Sequence, residues 1–494
     1  MLDKIDLEKK VDKSEYKETI LEINTKLGEL QRKAKELQIP IILLFEGWSS
    51  SGKGILINKL ILSMDPRGFK VWSTDKLSEE EKMHPFLWTY WNKLPSKGRI
   101  SILNKSWYKE LLHSIINNNS QNKIDSIYED IYSFEKTLVE NGYLIIKFFL
   151  HISKEEQKKR FKKIEESHSM AWKVTENDWK QNKNYHIYKK VFSNMLKKTD
   201  YNFSPWHIIE AEEKKYAVLK ISDTLSKILE EKIHSIEKAN ENKLEASFAS
   251  LKKEHECPSL LNNYNLSLNI PKEDYTKQLH LYQKRLIDLQ YMLYAKRIPV
   301  VIMYEGMDAA GKGGNIRRLT EHMDPRGYEV VPISAPNIVE QDYHYLWRFW
   351  TKMPKDGHIS IFDRSWYGRV LVERIEGFCS EADWTRAYSE INDMEKQLIN
   401  HGTILLKFFL QIDKDEQYKR FKAREENPEK TWKITDEDWR NRSKWEEYED
   451  AINEMLHKTS TEQAPWTVVE STDKKYARIK VLKKVVEALE KVLL

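Results

Sequence analysis

The stretch GMDAAGKG at residues 306–313 sets two glycines and a lysine at a spacing that suits phosphate chemistry. It satisfies the pattern G-x-x-x-x-G-K-[ST] up to its last position. Gly306 and Gly311 let successive backbone N–H groups turn toward an anion, the helix that follows adds the positive end of its dipole, and Lys312 supplies a point charge. Gly313 stands where serine or threonine would give Mg2+ a hydroxyl ligand, so a metal here needs other oxygens. Asp308 lies inside the loop, and Asp363 ends the apolar run HISIFD, where an enzyme with such a loop presents its second metal-binding carboxylate. Together they make a candidate Mg2+ pair. A helix cap ahead of Arg364 and Ser365 is the plainer reading of Asp363 taken alone.

Cations collect around this loop in the sequence: Arg317, Arg318, Arg326, Arg364 and Arg369, then Arg420, Lys422, Arg424, Lys433, Arg440 and Arg442. Phosphoryl transfer asks a protein mainly for positioning and charge stabilisation, and arginine forks suit phosphate oxygens. Residues 420–445, RFKAREENPEKTWKITDEDWRNRSKW, read as a basic lid that brings arginines onto a bound phosphate and expels water. An ordinary exposed helical hairpin fits the same charge pattern.

The surrounding elements follow from periodicity. Residues 275–296 carry apolar side chains at helical spacing, and IPVVIMYEG is a nearly continuous apolar run ending in glycine. GKGGNIRRLTEHM continues as a helix, while YEVVPIS, HISIFD and TILLKFFLQI read as strands. Buried strands alternating with helices predict an α/β fold, a parallel sheet covered on both faces.

Most of this pattern occurs twice. EGWSSSGKGI at 46 returns as EGMDAAGKGG at 305, a displacement of 259; MDPRGFKV returns as MDPRGYEV, and KSWY as RSWY. LIIKFFLHISKEEQKKRF at 144 returns at 404 as ILLKFFLQIDKDEQYKRF, a displacement of 260, so one residue is gained in between. Units this long are tandem domains rather than solenoid repeats, expected at 1–240 and 271–494 with a polar, proline-bearing linker at 241–270. The first copy keeps Gly47, Gly52 and Lys53, but Ser49, Asn104, Lys105, Glu110 and Ile164 stand where the second has Asp308, Asp363, Arg364, Arg369 and Arg424. Without its carboxylates the first loop has no anionic metal ligand, so a structural role is expected for it.

Composition narrows the class. Eighty-two Lys and Arg against 77 Asp and Glu give a net charge of +5, which does not advertise a nucleic-acid binder. Two cysteines, Cys257 and Cys379, form neither a disulfide framework nor a metal set. The charged start MLDKIDLEKK and the short apolar runs predict a cytoplasmic protein with no membrane partner. Oligomeric state is not readable, and a homo-oligomer stays open.

Taken in order, EGMDAAGKGG, MDPRGY, DRSWYGR, the basic WK-containing lid and the APW strand resemble family-2 polyphosphate kinases, and among them the tandem-domain polyphosphate:AMP phosphotransferases. The resemblance spans both repeats. It implies two kinase-like domains with helical lids, the second catalytic, and transfer of the terminal phosphoryl group of inorganic polyphosphate to AMP, giving ADP. It further implies that Lys312, Asp308 and Asp363 bind phosphates and Mg2+, that Arg364 follows the strand-end aspartate, and that the lid arginine is Arg424 or Arg420. Gly306, Gly311, Gly313, Arg317, Arg318, Arg326, Arg369 and Lys433 complete the expected phosphate and substrate contacts. An ATP-dependent nucleoside monophosphate kinase, an ADP-phosphorylating polyphosphate kinase, and a nucleotide- or polyphosphate-binding regulator without turnover are the competing readings.

Overall fold

The apolar runs do become strands. The computed structural model describes residues 2–74, 76–245, 259–428, 431 and 434–494; Cys257, Lys433 and the middle of the expected linker lie outside these. The chain gathers into two units: Met1–Ser78, Thr89–Lys252 and Asp342–His344 in the first, Glu79–Trp88, Lys253–Gln341 and Tyr345–Leu494 in the second. Neither unit is one continuous stretch.

In the first unit, β1 (Ile41–Gly47), β2 (Phe69–Ser73), β3 (Ile100–Asn104), β4 (Leu144–His151) and β5 (Trp206–Glu210) form a parallel sheet in the order β2-β3-β1-β4-β5. The second unit repeats it with β6 (Val300–Gly306), β7 (Tyr328–Pro332), β8 (Ile359–Asp363), β9 (Ile404–Gln411) and β10 (Trp466–Glu470), ordered β10-β9-β6-β8-β7. The order reverses at β6, and α/β sheets bind ligands in the crevice that such a reversal opens at the carboxyl ends of the strands. Register brings Tyr304 beside Asp363 and Gly306 beside Leu410, so the loop after β6 and the end of β8 share that edge.

Helices cover both faces, as the unbroken apolar strands require. On one side the helix Lys272–Lys296 buries Leu286, Leu289 and Leu293, and the helix Lys474–Leu493 buries Leu482, Val485 and Leu489 in the same cluster. On the other, Glu381–Asn400 lies over a buried lysine in the middle of β9. Lys407 Nζ donates to Glu395 Oε2 at 2.7 Å, Tyr367 Oη at 3.1 Å and the Thr459 carbonyl at 2.6 Å, while Trp366 Nε1 and the Tyr367 hydroxyl donate to Glu395 Oε1. A buried charge is tolerated only when paired and fully hydrogen-bonded, and this one is. Lys147, Glu135, Tyr108, Trp107 and Thr199 build the same cluster in the first unit. The Trp-Tyr pair after β8 is thus pinned to the helix layer, and it fixes the three residues before it. Among the described residues no helix is long and apolar enough to cross a membrane.

Candidate active site

The loop after β6 is shaped by two glycines that admit no substitute. Gly306 has φ 145°, and a Cβ there would sit 2.5 Å from the Leu410 carbonyl oxygen. Gly311, at φ 112°, opens the helix Lys312–Thr320 in a left-handed conformation. Arg420, on the helix Lys414–Glu425, holds the loop from behind: Nη1 donates to the carbonyls of Ala309 and Ala310, Nη2 to those of Ser471 and Thr472, and Nε to Glu416. Gln417 Nε2 donates to the Asp308 carbonyl at 3.1 Å.

Charge converges in front of the loop. Arg364 Nη2 donates to Asp308 Oδ1 at 3.0 Å, and Asn441 Nδ2, from the helix Asp436–Ser443, donates to Oδ2 at 2.9 Å. Burial alone would raise the Asp308 carboxyl, yet Lys312 and Arg364 beside it and the bonds from Asn441 and Arg364 hold it below the usual carboxylate range. Lys312 is half-buried and donates to the Gly306 carbonyl at 2.6 Å; desolvation and Arg364 lower it, against the pull of Asp308, Asp363 and Glu305. Glu305, raised by burial, accepts the Ser365 hydroxyl at 2.8 Å and ties the end of β6 to the turn after β8. In that turn Arg364 adopts φ 66°, which aims its guanidinium back over the loop toward Asp308.

Residues 10–237 and 269–493 each match the family described as polyphosphate kinase 2. The chain belongs to the polyphosphate kinase 2 family. A polyphosphate:AMP phosphotransferase of Pseudomonas aeruginosa is 41% identical over 482 residues, covering 97% of each chain, and one of Pseudomonas syringae is 42% identical over 452 residues, covering 91% of this chain and 90% of its own. A crystal structure described as polyphosphate kinase 2 from Pseudomonas aeruginosa superposes with a TM-score of 0.86 at 38% identity, over 99% of both chains.

Several cations expected at the site of this family member stand elsewhere. Arg326 precedes β7, at the edge of the parallel sheet opposite to Asp363, and its guanidinium pairs with Asp324 at 2.6 Å. Asp324 caps the turn Pro325–Gly327, is drawn down to about 2 chiefly by the Arg326 side chain, and docks its backbone on Gln290. The MDPRG motif is therefore a turn device, repeated at Asp65, Arg67 and Gln31. Arg420 spends its guanidinium on carbonyls rather than presenting it to a ligand, and Arg160 makes the same contacts with Ser50, Ser51, Ala211 and Glu212 in the first unit. Arg369 lies 4.3 Å from the Tyr345 ring centroid and pairs with Glu373. Arg318 pairs with Glu321, and Arg317 is exposed on the helix after the loop. Arg424 does stay close: it is half-buried, within electrostatic reach of Asp308 and Asp438. Gly313 faces open space, so nothing in the packing demands glycine there.

Asn441, Gln417, Glu305 and the Lys407 cluster are functional or supporting groups that motif reading passed over. For all but Asn441 the signal was the repeat itself, because Glu46, Gln157, Lys147 and Glu135 recur at displacements of 259 or 260. The first unit keeps this scaffold and lacks the charges: Lys53 Nζ donates to the carbonyls of Gly47 and Trp48, and the Ser49 backbone N–H donates to Gln181, which stands where Asn441 does.

Proposed function

We propose that the second unit transfers the terminal phosphoryl group of inorganic polyphosphate to AMP, giving ADP. One observation carries the location: of two loops with the same backbone, only the second is flanked by Asp308, Asp363 and Arg364. The whole-length likeness to polyphosphate:AMP phosphotransferases supports the donor and the acceptor.

Among the described residues no group of three or more His, Cys, Asp or Glu side chains converges as a ready-made metal cage. Mg2+ does not need one, since it keeps waters and takes one or two carboxylates plus substrate phosphate oxygens. Asp308 and Asp363, both acting on Lys312, fit that demand and would be the residues that hold the ion; Asp308 now accepts from Arg364 and Asn441. Mg2+ held by these two carboxylates would supply positive charge against the charge that develops on the transferring group. The loop N–H groups and Lys312 bind the terminal polyphosphate groups. Arg364, once released from Asp308, spans the transferring phosphoryl group. An AMP phosphate oxygen then attacks the terminal phosphorus in line, the phosphoanhydride bond to the rest of the chain breaks, the chain leaves one phosphate shorter, and Arg424 closes the site from the lid. Arg420 and Gln417 position the loop, and Glu305 positions the turn that carries Arg364.

The test is product analysis. Purified protein with polyphosphate, Mg2+ and either AMP or ADP is resolved by anion-exchange chromatography. ADP formed from AMP much faster than ATP from ADP is expected, and the reverse preference would overturn the acceptor.

A further inference from the structure

The helical segments between the fourth and fifth strands of the two units carry opposite charge. Residues 154–198, between β4 and β5, hold 13 Lys and Arg against six Asp and Glu, a net of +7. The matching residues 414–458, between β9 and β10, hold 11 against 13, a net of −2. Outside this segment residues 1–240 are balanced, with 29 of each sign. The copy that lacks metal carboxylates thus gathers its whole excess of charge in one segment, where a demand for solubility alone would spread it.

The fold does not ask for these cations. In the helix Lys154–Glu165, Gln157 and Arg160 hold the loop through the carbonyls of Ser49, Ser50 and Ser51, as Gln417 and Arg420 do in the second unit. The helix Glu176–Lys183 runs back along it: Asn182 Nδ2 donates to the Lys154 carbonyl at 2.9 Å, and Trp179 Nε1 donates to Glu165 Oε1 at 2.7 Å. On this hairpin Lys158, Lys162, Lys163, Lys180 and Lys183 stay exposed, with no ion pair among the described residues. Helical neighbours three or four residues apart face each other, so Lys158 repels Lys162 and Lys180 repels Lys183. The second unit has Tyr418 with Lys422 and Arg440 with Ser443 at these places, and avoids both repulsions.

A polyanion laid across these lysines relieves their repulsion and releases its own counterions. The choice of residue narrows the polyanion. Nucleic-acid surfaces use arginine forks and aromatic rings for the bases. Here 12 of the 13 cations are lysine, and the single arginine, Arg160, is spent on carbonyls. The exposed ring of Trp172 recurs in sequence as Trp432 in the acidic segment, so it does not follow the charge. Lysine point charges suit a flexible chain of phosphates without bases. We propose that the hairpin Lys154–Lys183 of the first unit is a docking surface for the polyphosphate chain, separate from that unit's loop, where Lys53 is engaged by the carbonyls of Gly47 and Trp48. The inference rests on polyphosphate being the donor, as read above. It gives the unit without metal carboxylates a task, that of holding the donor on the protein.

The experiment compares the full chain with two variants that each remove four charges. The hairpin variant carries Lys158→Gln, Lys162→Gln, Lys180→Gln and Lys183→Gln. The control carries Lys13→Gln, Lys17→Gln, Lys59→Gln and Lys123→Gln, exposed positions of the first unit outside the hairpin. Fluorescence anisotropy follows the binding of end-labelled long-chain polyphosphate, without AMP, as salt is varied. The hairpin variant should bind about tenfold or more weakly, and the slope of its log affinity against log salt should fall by about 3. The control should stay within about twofold of wild type. The proposal is overturned if the hairpin variant binds as wild type does, if the control loses as much, or if single-stranded DNA of equal phosphate number binds wild type more tightly than polyphosphate and depends on the same lysines. If the fourfold hairpin variant fails to fold, Lys158→Gln with Lys183→Gln decides by the same readout, at about half the change in slope. Binding needs no turnover, so wild type that forms no ADP would remove the reaction assigned above without touching this result.

Discussion

Replacing Arg420 by lysine separates loop support from ligand contact, because the same clamp exists in the first unit at Arg160. Arg420 donates at 2.6 Å to Glu416, at 2.9 and 3.1 Å to Ala309 and Ala310, and at 2.6 and 3.0 Å to Ser471 and Thr472. Lysine offers its donors from one nitrogen and cannot span carbonyls on both sides of the loop, so at least two of these bonds go. Hydrogen bonds to a charged group are worth about 1.5–3 kcal/mol each, giving a loss of roughly 3–6 kcal/mol. For a unit of this size that lowers its Tm by on the order of 10 °C. Differential scanning calorimetry of the full chain should show the drop for Arg420→Lys and a similar one for Arg160→Lys. Initial rates well below both transitions should fall for Arg420→Lys, whose loop has lost its backing, and stay near wild type for Arg160→Lys. Should Arg420→Lys keep its Tm and still lose turnover, the guanidinium acts on the ligand and the clamp argument fails. A collapse of turnover in folded Arg160→Lys would show that the first unit is not passive.

Asp308→Asn and Asp363→Asn each remove a carboxylate at constant size, and turnover should fall by roughly 10²–10³-fold or more with an unchanged circular dichroism spectrum; near-normal rates in folded Asp363→Asn would end its metal assignment. Lys53→Ala should leave kcat within about twofold, and loss of activity without unfolding would refute the inactive-copy reading. Burial pushes His151 down to about 4, so between pH 6.5 and about 4 the unfolded chain binds a proton that the folded chain refuses. Stability therefore rises with pH across that window, by about 3 kcal/mol from this group. Denaturant unfolding as a function of pH should show a shallower slope for His151→Gln, and an unchanged slope would remove the assignment.

The sheet was legible because its strands are apolar runs bounded by glycine or by charged helices, and IPVVIMYEG and HISIFD end where β6 and β8 end. Loop and strand-end aspartates were legible for the same reason: both sit at punctuation points. Strand order is carried by no local pattern, and that is why Arg326 reads as a neighbour of the loop helix. Five residues separate it from Thr320, yet they return the chain to the far edge of the sheet. The carbonyl contacts of Arg420 were not legible, because a charged residue on a polar helix looks solvent-facing until the carbonyls of Ala309 and Ser471 are seen behind it. Lys407 offers the opposite lesson. A lysine inside LLKFFL looks like an outward position in a strand, and only the distant Glu395, Tyr367 and Thr459 reveal a buried charge.

The left-handed turn at Arg364 has a twin. Lys105 takes φ 65° where Arg364 takes φ 66°, and Ser50 takes φ 56° where Ala309 takes φ 62°. Non-glycine residues in this region cost about 1–2 kcal/mol each, and the first unit bears that cost with no metal carboxylate beside it. The twist therefore belongs to the frame of the sheet and not to the reaction. For protein engineering this makes the first unit a blank rather than a ruin: its backbone already points the side chain of residue 105 along the vector that Arg364 uses. Set beside the second unit, it differs at the site by a handful of side chains: Ser49, Asn104, Lys105, Glu110 and Ile164 stand where the second has Asp308, Asp363, Arg364, Arg369 and Arg424.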